Sequence, residues 1–134
     1  MEKDCIFCKI VAGEISCSKI YEDSDYLAFL DMRPTEDAHT LVIPKKHFKF
    51  VWDVEPIGKY FEICQKIAKH FQIVSGNEFV YAVVHGVGVA HAHVHIVPTE
   101  EGRFGKALTD IGHIINHPPL TPEKAQEMLK KYKF

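Results

Sequence analysis

The stretch HAHVHIVP, residues 91–98, decides the fold because it alternates polar and apolar side chains and ends at a proline. Successive side chains of a β-strand point to opposite faces, so three histidines share one face and the apolar residues between them face a core. These histidines are His91, His93 and His95. Neighbours in such a row lie roughly 6.5 to 7 Å apart at Cα. A metal bound at about 2.1 Å from nitrogen can be shared by two of them but hardly by all three, so the three imidazoles are predicted to have different roles.

The row has two simpler interpretations. A histidine on a half-exposed strand is most often an ordinary polar surface residue, and two imidazoles can serve in metal chelation alone. The strict alternation of three histidines favours a functional role for the row over both of these interpretations.

Length and charge limit the function classes. A chain of 134 residues with 46% hydrophobic and 25% charged residues fits one soluble domain, residues 1–134. A net charge of −2 argues against nucleic-acid or anionic-membrane partners. The start, MEKDCIFCKI, lacks the apolar core of a signal peptide, and no later run is long enough to span a bilayer. We therefore expect a cytoplasmic protein.

Periodicity and turn signals predict an α+β fold. Residues 19–31 read as two strands joined at a polar corner, and the stretches HTLVIP and FVYAVVH add two more before the histidine strand. An amphipathic helix is predicted from Ile57 to near Gly76, and a C-terminal helix has Thr121 as N-cap. About five strands around one long helix predict a mostly antiparallel sheet. The stripe of the long helix is formed by Ile57, Phe61, Cys64, Ile67, Ala68 and Phe71.

Several of these motifs together resemble the histidine triad (HIT) superfamily. Residues 91–97 match its defining alternation of histidine and hydrophobic residues, and CIFCKIVAGEI (5–15) and YLAFLDMRPTEDAHTLVIPKKHF (26–48) are similar in content and order to its bacterial branch. The resemblance covers about residues 5–98 and leaves 99–134 as a C-terminal extension with a helix. It implies the HIT-like fold, an antiparallel sheet of about five strands with a long helix.

The resemblance also implies an activity. Family members hydrolyse or transfer nucleoside monophosphate groups, often purine, from phosphoramidates, adenylates or dinucleoside polyphosphates. The resemblance assigns His93 as the nucleophile. His95 is expected to donate to the phosphoryl oxygens or the leaving group. A neutral imidazole can attack phosphorus without a separate base, and the phosphorus–nitrogen bond formed is labile to water.

The stretch FLDMRP supplies the expected nucleoside end. By resemblance Asp31 accepts hydrogen bonds from the ribose hydroxyls, while Phe29 and Met32 enclose the base. On the residues alone, Asp31 is equally a turn acid at a strand end, and His39 is equally a satisfied histidine at a strand start. The resemblance places His39 near the triad, and glycines before the triad predict backbone contacts to phosphate at Gly88.

Cys5 and Cys8 have the two-residue spacing of half a zinc site. Zinc-bearing relatives take the remaining ligands from the positions of His47 and His91, which predicts one structural zinc and no organic cofactor. Two free thiols near the N-terminus are the alternative. Relatives are usually homodimers, so a homodimer is expected here.

One segment departs from the family pattern. Where many relatives have an asparagine and a Gly-rich segment ending in glutamine, this chain reads HGVGVAHAH, with His85 and Val87 at those places. Two functions therefore stay open: a nucleotidyl hydrolase or transferase, and a zinc-stabilised nucleotide-binding module with little turnover.

Overall fold

The fold is described from a computed structural model that covers residues 2–113 and 116–134. Within these ranges, five strands form one antiparallel sheet, and helices pack on both of its faces. The predicted α+β class is confirmed. The elements in chain order are α1 Ile6–Val11, β1 Lys19–Glu22, β2 Tyr26–Leu30, β3 Thr40–Pro44, α2 Ile57–Ser75, β4 Val80–Val83, β5 Val94–Pro98, α3 Phe104–Gly112 and α4 Pro122–Tyr132.

The strand order is β1-β2-β3-β5-β4, and every neighbouring pair is antiparallel. The hairpin between β1 and β2 turns at Asp23, whose carboxylate accepts hydrogen bonds from the backbone N–H groups of Asp25 and Tyr26. The histidine strand β5 lies between β3 and β4, with His95 opposite Leu41 on one side and Val83 on the other. His95 therefore sits in the interior of the sheet.

Side-chain alternation gives the sheet two different faces. One face packs against α2 and α4 through a large apolar cluster that includes Val42, Val94 and Ile96. The opposite face packs against α1 through a smaller cluster that includes Phe7, Phe29 and Leu41. The predicted apolar side of the histidine strand faces the larger cluster, which turns its histidines toward the side occupied by α1. We call this the α1 face.

The histidine strand is shorter than the sequence predicts. It begins at Val94, so His91 and His93 precede it rather than belong to it. Continuing the register of β5 with β3 would set Pro44 opposite Ala92, and a proline has no N–H for a further ladder bond. The N–H of Ala92 instead donates to the carbonyl of Phe48 at 2.7 Å. The prediction of one regular strand through all three histidines was wrong for this reason.

Helix α2 begins and ends as predicted, and its C-cap Gly76 is left-handed with φ of 75°. Its buried stripe differs at the first turns. Tyr60 is fully buried and its hydroxyl donates to the carbonyl of Val42 at 2.6 Å, whereas Ile57 and Phe61 are exposed. The hydroxyl lets an aromatic residue enter the core with its polar atom satisfied, which the hydrophobic pattern alone did not indicate.

The C-terminal helix α4 also begins where predicted. The side chain of Thr121 caps it by accepting a hydrogen bond from the N–H of Lys124, and Pro122 fills its first turn. Helices α1 and α3 are additions that the sequence analysis did not predict. Among the residues described, no helix is both long and apolar enough to cross a membrane.

Candidate active site and metal centre

Four predicted metal ligands meet on the α1 face. Cys5 is the N-cap of α1, and its sulfur accepts a hydrogen bond from the N–H of Cys8 at 3.3 Å. Because residues three apart on a helix share a face, both thiols point the same way. His47 follows β3 and His91 precedes β5. One ligand atom from each residue lies within 4.8 Å of the other three.

The separations between these ligand atoms suit a tetrahedral zinc ion. Nδ1 of His91 lies 3.3 Å from Sγ of Cys5 and 3.2 Å from Nδ1 of His47. Sγ of Cys8 lies 3.3 Å from Nδ1 of His47 and 3.5 Å from Nδ1 of His91. Zinc bonds of about 2.1 Å to nitrogen and 2.3 Å to sulfur set ligand atoms ~3.4 to 3.8 Å apart in a tetrahedron. The observed separations fall within a few tenths of an ångström of that range.

A hydrogen bond outside this cluster orients the imidazole of His91. Its Nε2 lies 2.8 Å from the carbonyl oxygen of Pro44, which can only accept. Nε2 therefore carries the hydrogen and Nδ1 presents a lone pair to the cluster. Burial lowers the pKa of His91 to about 4 and keeps the ring neutral. A neutral imidazole held through its second nitrogen is the usual state of a metal ligand, so the residues present fit zinc.

The backbone fixes the tautomer of His93 in the same way. Its Nδ1 lies 2.8 Å from the carbonyl oxygen of His91, so Nδ1–H donates and Nε2 keeps the lone pair. The ring is buried and packs edge-on against Phe7, with centroids 5.4 Å apart. This contact leaves the imidazole little freedom to turn, and Nε2 is the nitrogen available as a nucleophile.

His39 and His95 form a chain of hydrogen bonds that starts at a backbone donor. The N–H of Thr35 donates to Nδ1 of His39 at 3.1 Å, so the hydrogen of this imidazole is on Nε2. Nε2 of His39 lies 2.8 Å from Nδ1 of His95 and donates to it. The hydrogen of His95 must then be on its Nε2. Within the described ranges, Nε2 of His95 is buried and has no hydrogen-bond partner.

Burial keeps this pair of imidazoles neutral. It lowers the pKa of His39 to about 4, and the pKa of His95 falls even further through burial and the neighbouring His39. A buried N–H without a partner costs free energy, so the Nε2–H of His95 is a donor prepared for a group that the described part of the chain does not supply.

His39 is positioned by a strained residue. Ala38, which precedes it, is buried and has φ of 64°, a left-handed conformation that costs an L-residue about 1 to 2 kcal/mol. The carbonyl of Ala38 accepts the hydroxyl of Thr40 at 2.8 Å, and the carbonyl of His39 accepts the N–H of Asp31 at 2.8 Å. The first bond holds the backbone on either side of His39, and the second ties His39 to the residue that follows β2.

Asp31 lies beside the histidine pair. Its Oδ1 accepts the N–H of Arg33 at 2.8 Å, and its Oδ2 is 3.6 Å from Nε2 of His39, too far for a hydrogen bond. Oδ2 thus keeps acceptor capacity next to the site. Met32 is exposed, whereas Phe29 is only 2% exposed and packs on Phe7 with centroids 5.5 Å apart. Of the two residues expected to enclose a base, only Met32 presents its side chain at the surface.

The loop before the triad adds a histidine to the site. The ring of His85 lies 4.8 Å from that of His95 and 5.7 Å from that of His93, measured between centroids. Gly88 in the same loop has φ of 95°, and a Cβ there would meet no atom of the described residues within 4 Å. In the sequence, His85 was only a departure from the family pattern and had no predicted role. The bond from Thr35 to His39 could not be predicted from sequence either, because any residue type except proline can supply a backbone N–H.

Comparisons with known proteins place the chain among similar sequences and folds. The family model described as HIT domain matches residues 12–102. An adenosine 5′-monophosphoramidase of Schizosaccharomyces pombe is 35% identical over 131 residues, which covers 92% of this chain and 92% of that protein.

Two solved structures have the same fold. A Hit-like protein of Bartonella henselae, solved with an unknown ligand, superposes with a TM-score of 0.78 at 29% identity and covers 98% of this chain and 96% of its own. A zinc-bound histidine triad family protein of Mycobacterium smegmatis superposes with a TM-score of 0.72 at 27% identity, covering 95% of this chain and 91% of its own.

Proposed function

Because this chain belongs to the histidine triad (HIT) family, we propose that it is a nucleotide hydrolase or nucleotidyltransferase that works through a covalent intermediate on His93. The proposed substrates are nucleoside phosphoramidates, adenylates or dinucleoside polyphosphates. The phosphoramidase name of the Schizosaccharomyces pombe relative supports the first class. The observation that carries the proposal is the bond from Nδ1–H of His93 to the carbonyl of His91, which reserves Nε2 for attack.

The proposed reaction has two steps. Nε2 of His93 attacks the α-phosphorus, a bond from phosphorus to nitrogen forms, and the bond from phosphorus to the leaving group breaks as the leaving group takes up a proton from solvent. Water then attacks phosphorus and gives one proton back to solvent, the bond to His93 breaks, and the nucleoside monophosphate leaves. Dividing the reaction in this way replaces one difficult displacement with two easier ones. The net reaction consumes one water molecule and restores the imidazole.

His95 is the proposed donor to the phosphoryl group. Its Nε2–H is buried and unpartnered in the described part of the chain, and its ring centroid is 5.3 Å from that of His93. A phosphoryl oxygen next to Nε2 of His93 would satisfy that donor. Since a preorganised donor stabilises charge that develops in the transition state, this arrangement favours the reaction rather than binding alone.

Asp31 is proposed to hold the ribose through Oδ2, and Met32 to contact the base from its exposed position. Phe29 is proposed to support the site by packing on Phe7, and it does not enclose the base. The backbone of Gly88 is proposed to approach the phosphate, since no atom crowds that position. A purine preference, a homodimer and a cytoplasmic location stay predictions.

We assign one structural zinc ion to Cys5, Cys8, His47 and His91. Two thiolates and two neutral imidazoles would close the coordination sphere, and a closed site of this type stabilises folding rather than taking part in the reaction. The ion would join α1 to the segments that precede β5 and follow β3. His93 is two residues from His91, so the metal centre would also support the position of the nucleophile.

Turnover of adenosine 5′-phosphoramidate tests the proposed function. The parent protein is expected to release adenosine monophosphate, and His93→Ala is expected to lose turnover at unchanged zinc content. His70→Ala is the matched control, because His70 lies on α2 across the sheet and bonds to the carbonyl of Tyr132. Nucleotide binding without turnover in the parent would instead support the alternative of a zinc-stabilised binding module.

A further inference from the structure

The loop of residues 85–88 holds the ring of His85 in one tautomer. The N–H of Val87 donates to Nδ1 of His85 at 2.9 Å, so the hydrogen of this imidazole is on Nε2. Gly86 makes the turn possible with φ of 72°, and a Cβ at this glycine would lie 3.0 Å from the ring of Phe50. The bond needs only residues of the loop itself, so the loop determines which nitrogen of His85 can donate.

The imidazoles of His85, His93 and His95 form one group, and they differ in whether Nε2 carries a hydrogen or a lone pair. One ring nitrogen each of His85, His93 and His95 lies within 4.8 Å of the others. The rings of His85 and His95 are tilted by only 31°, whereas the ring of His93 stands at 86° to that of His85. His93 offers a lone pair on Nε2, and the two other rings each carry a hydrogen on Nε2. The nucleophile therefore has two N–H donor rings beside it, and these two rings are also neighbours of each other.

Such an arrangement suits a phosphoryl group better than a metal ion. A metal bound by all three rings would require His85 and His95 to give up the tautomers that their backbone and histidine partners impose. A phosphoryl group instead offers an electrophilic phosphorus to the lone pair and non-bridging oxygens to N–H donors. His85 is also an exposed residue, so this side of the imidazole group is open to solvent.

From this geometry we infer that His85 binds a non-bridging phosphoryl oxygen of the substrate through Nε2–H, alongside the donor on His95. This inference rests on the proposed function, which supplies the phosphoryl group. Although the residue is partly open to solvent, desolvation of its ring and the neighbouring His93 lower the pKa of His85 below its usual value of 6.5, so the ring is a neutral donor at pH 7. The site then contacts the phosphoryl group with histidine where many relatives have an asparagine.

The test compares His85→Ala and His85→Gln with the parent protein. The amide nitrogen of glutamine reaches about as far as Nε2 of histidine, so it can replace the donor. We expect kcat/KM for adenosine 5′-phosphoramidate to fall by roughly 10- to 100-fold in His85→Ala, as for the loss of one hydrogen bond to a charged group, and to recover largely in His85→Gln. Zinc content is expected to stay at the parent value in both, and His70→Ala serves as the control for loss of a distant histidine.

Sulfur substitution separates a phosphate contact from a structural role. The two diastereomers of adenosine 5′-thiophosphoramidate place sulfur at one or the other non-bridging position. The parent is expected to discriminate against the diastereomer whose sulfur faces His85, and His85→Ala should lose that part of the discrimination. An unchanged ratio between the diastereomers, or an unchanged kcat/KM in His85→Ala, would overturn the inference while leaving the proposed function intact.

Binding of adenosine monophosphate, measured by calorimetry, gives a result that does not depend on turnover. His85→Ala should bind it roughly 10-fold more weakly than the parent, the usual effect of losing one hydrogen bond to a charged group. Weaker binding in His85→Ala with an inactive parent would refute the proposed reaction and support the phosphate contact. Equal binding in both proteins would refute the contact.

Discussion

Nε2 of His39 donates a hydrogen bond to Nδ1 of His95 across 2.8 Å, and the direction of this bond is set by the N–H of Thr35. This bond matters for the active site, because Nδ1 of His95 accepts it and the single N–H hydrogen of the His95 ring must therefore be on Nε2. His39 thereby acts as a positioning residue: it determines which nitrogen of His95 can donate to a phosphoryl oxygen.

His39→Ala is expected to lower kcat by roughly 10- to 100-fold, the range known for residues that orient a metal-ligating imidazole, with a smaller effect on KM. His39→Gln is the matched variant, since its amide N–H can still donate to Nδ1 of His95, and it should retain more activity than His39→Ala. Steady-state kinetics of the two variants checks this order. Equal activity in the two variants, or a His39→Ala variant as active as the parent, would show that His39 does not position the N–H of His95.

The depressed pKa of His39 predicts a pH dependence of stability. Its pKa is about 4 in the folded protein and near 6.5 in the unfolded chain. Between these values the unfolded chain binds more protons, so the free energy of unfolding falls as the pH falls. This contribution is complete above pH 6.5 and is lost as the pH falls toward 4, at up to about 1.4 kcal/mol per pH unit.

Urea unfolding of the parent and of His39→Gln between pH 7 and pH 5 measures this contribution. The stability advantage of the parent over the variant should shrink by about 1 to 2 kcal/mol across that range, because only the parent must protonate His39 on unfolding. The zinc site is the same in both proteins, so its contribution to stability cancels in the difference. A difference that stays constant with pH, or that grows toward pH 5, would contradict the neutral state assigned to His39.

Loss of a cysteine ligand should remove the metal. Elemental analysis of protein purified without chelator is expected to find one zinc ion per chain in the parent and little in Cys8→Ser, whose Tm should fall by more than about 5 °C. Cys17→Ser is the control, because Cys17 packs against the α1-face cluster but does not belong to the four-residue metal group. Full zinc content in Cys8→Ser, or a metal-free parent, would refute the site.

Asp31→Asn should alter the response to the ribose hydroxyls. Replacing the carboxylate removes a charged acceptor, which weakens transition-state binding by roughly 1.5 to 3 kcal/mol, the range for hydrogen bonds to charged groups. The parent should therefore prefer a ribonucleotide phosphoramidate over its 2′,3′-dideoxy analogue, and Asp31→Asn should have less of that preference. The ratio of kcat/KM for the two substrates is the measurement. The same ratio in both proteins would show that Asp31 does not hold the ribose.

Sequence patterns predicted the parts of the fold that depend on burial. Alternation around Val94 and Ile96 indicated which side of the histidine strand faces the core, and the capping signal at Thr121 located α4. The start of the strand was missed because it depends on Pro44 of the partner strand. Periodicity likewise placed Phe61 in the buried stripe, where the satisfied hydroxyl of Tyr60 favours that residue instead.

The composition of the site was accessible from sequence, but its chemistry was not. Spacing indicated Cys5 and Cys8, and the family resemblance added His47 and His91, which the structure brings together with them. Which nitrogen of each imidazole carries a hydrogen depends on backbone groups of Thr35, Pro44, Val87 and His91. These bonds follow from the path of the chain rather than from residue type.

The central claim is that Nε2 of His93 forms a covalent bond to phosphorus. The most direct test is a single turnover of adenosine 5′-phosphoramidate, quenched rapidly at alkaline pH because a phosphorus–nitrogen bond to histidine is labile in acid, followed by mass analysis of the peptide that contains His93. The account predicts that this peptide gains the mass of one adenylyl group transiently and that His93→Ala shows neither the gain nor turnover. Complete turnover without an adduct on that peptide at any quench time, or full activity in His93→Ala, would contradict it.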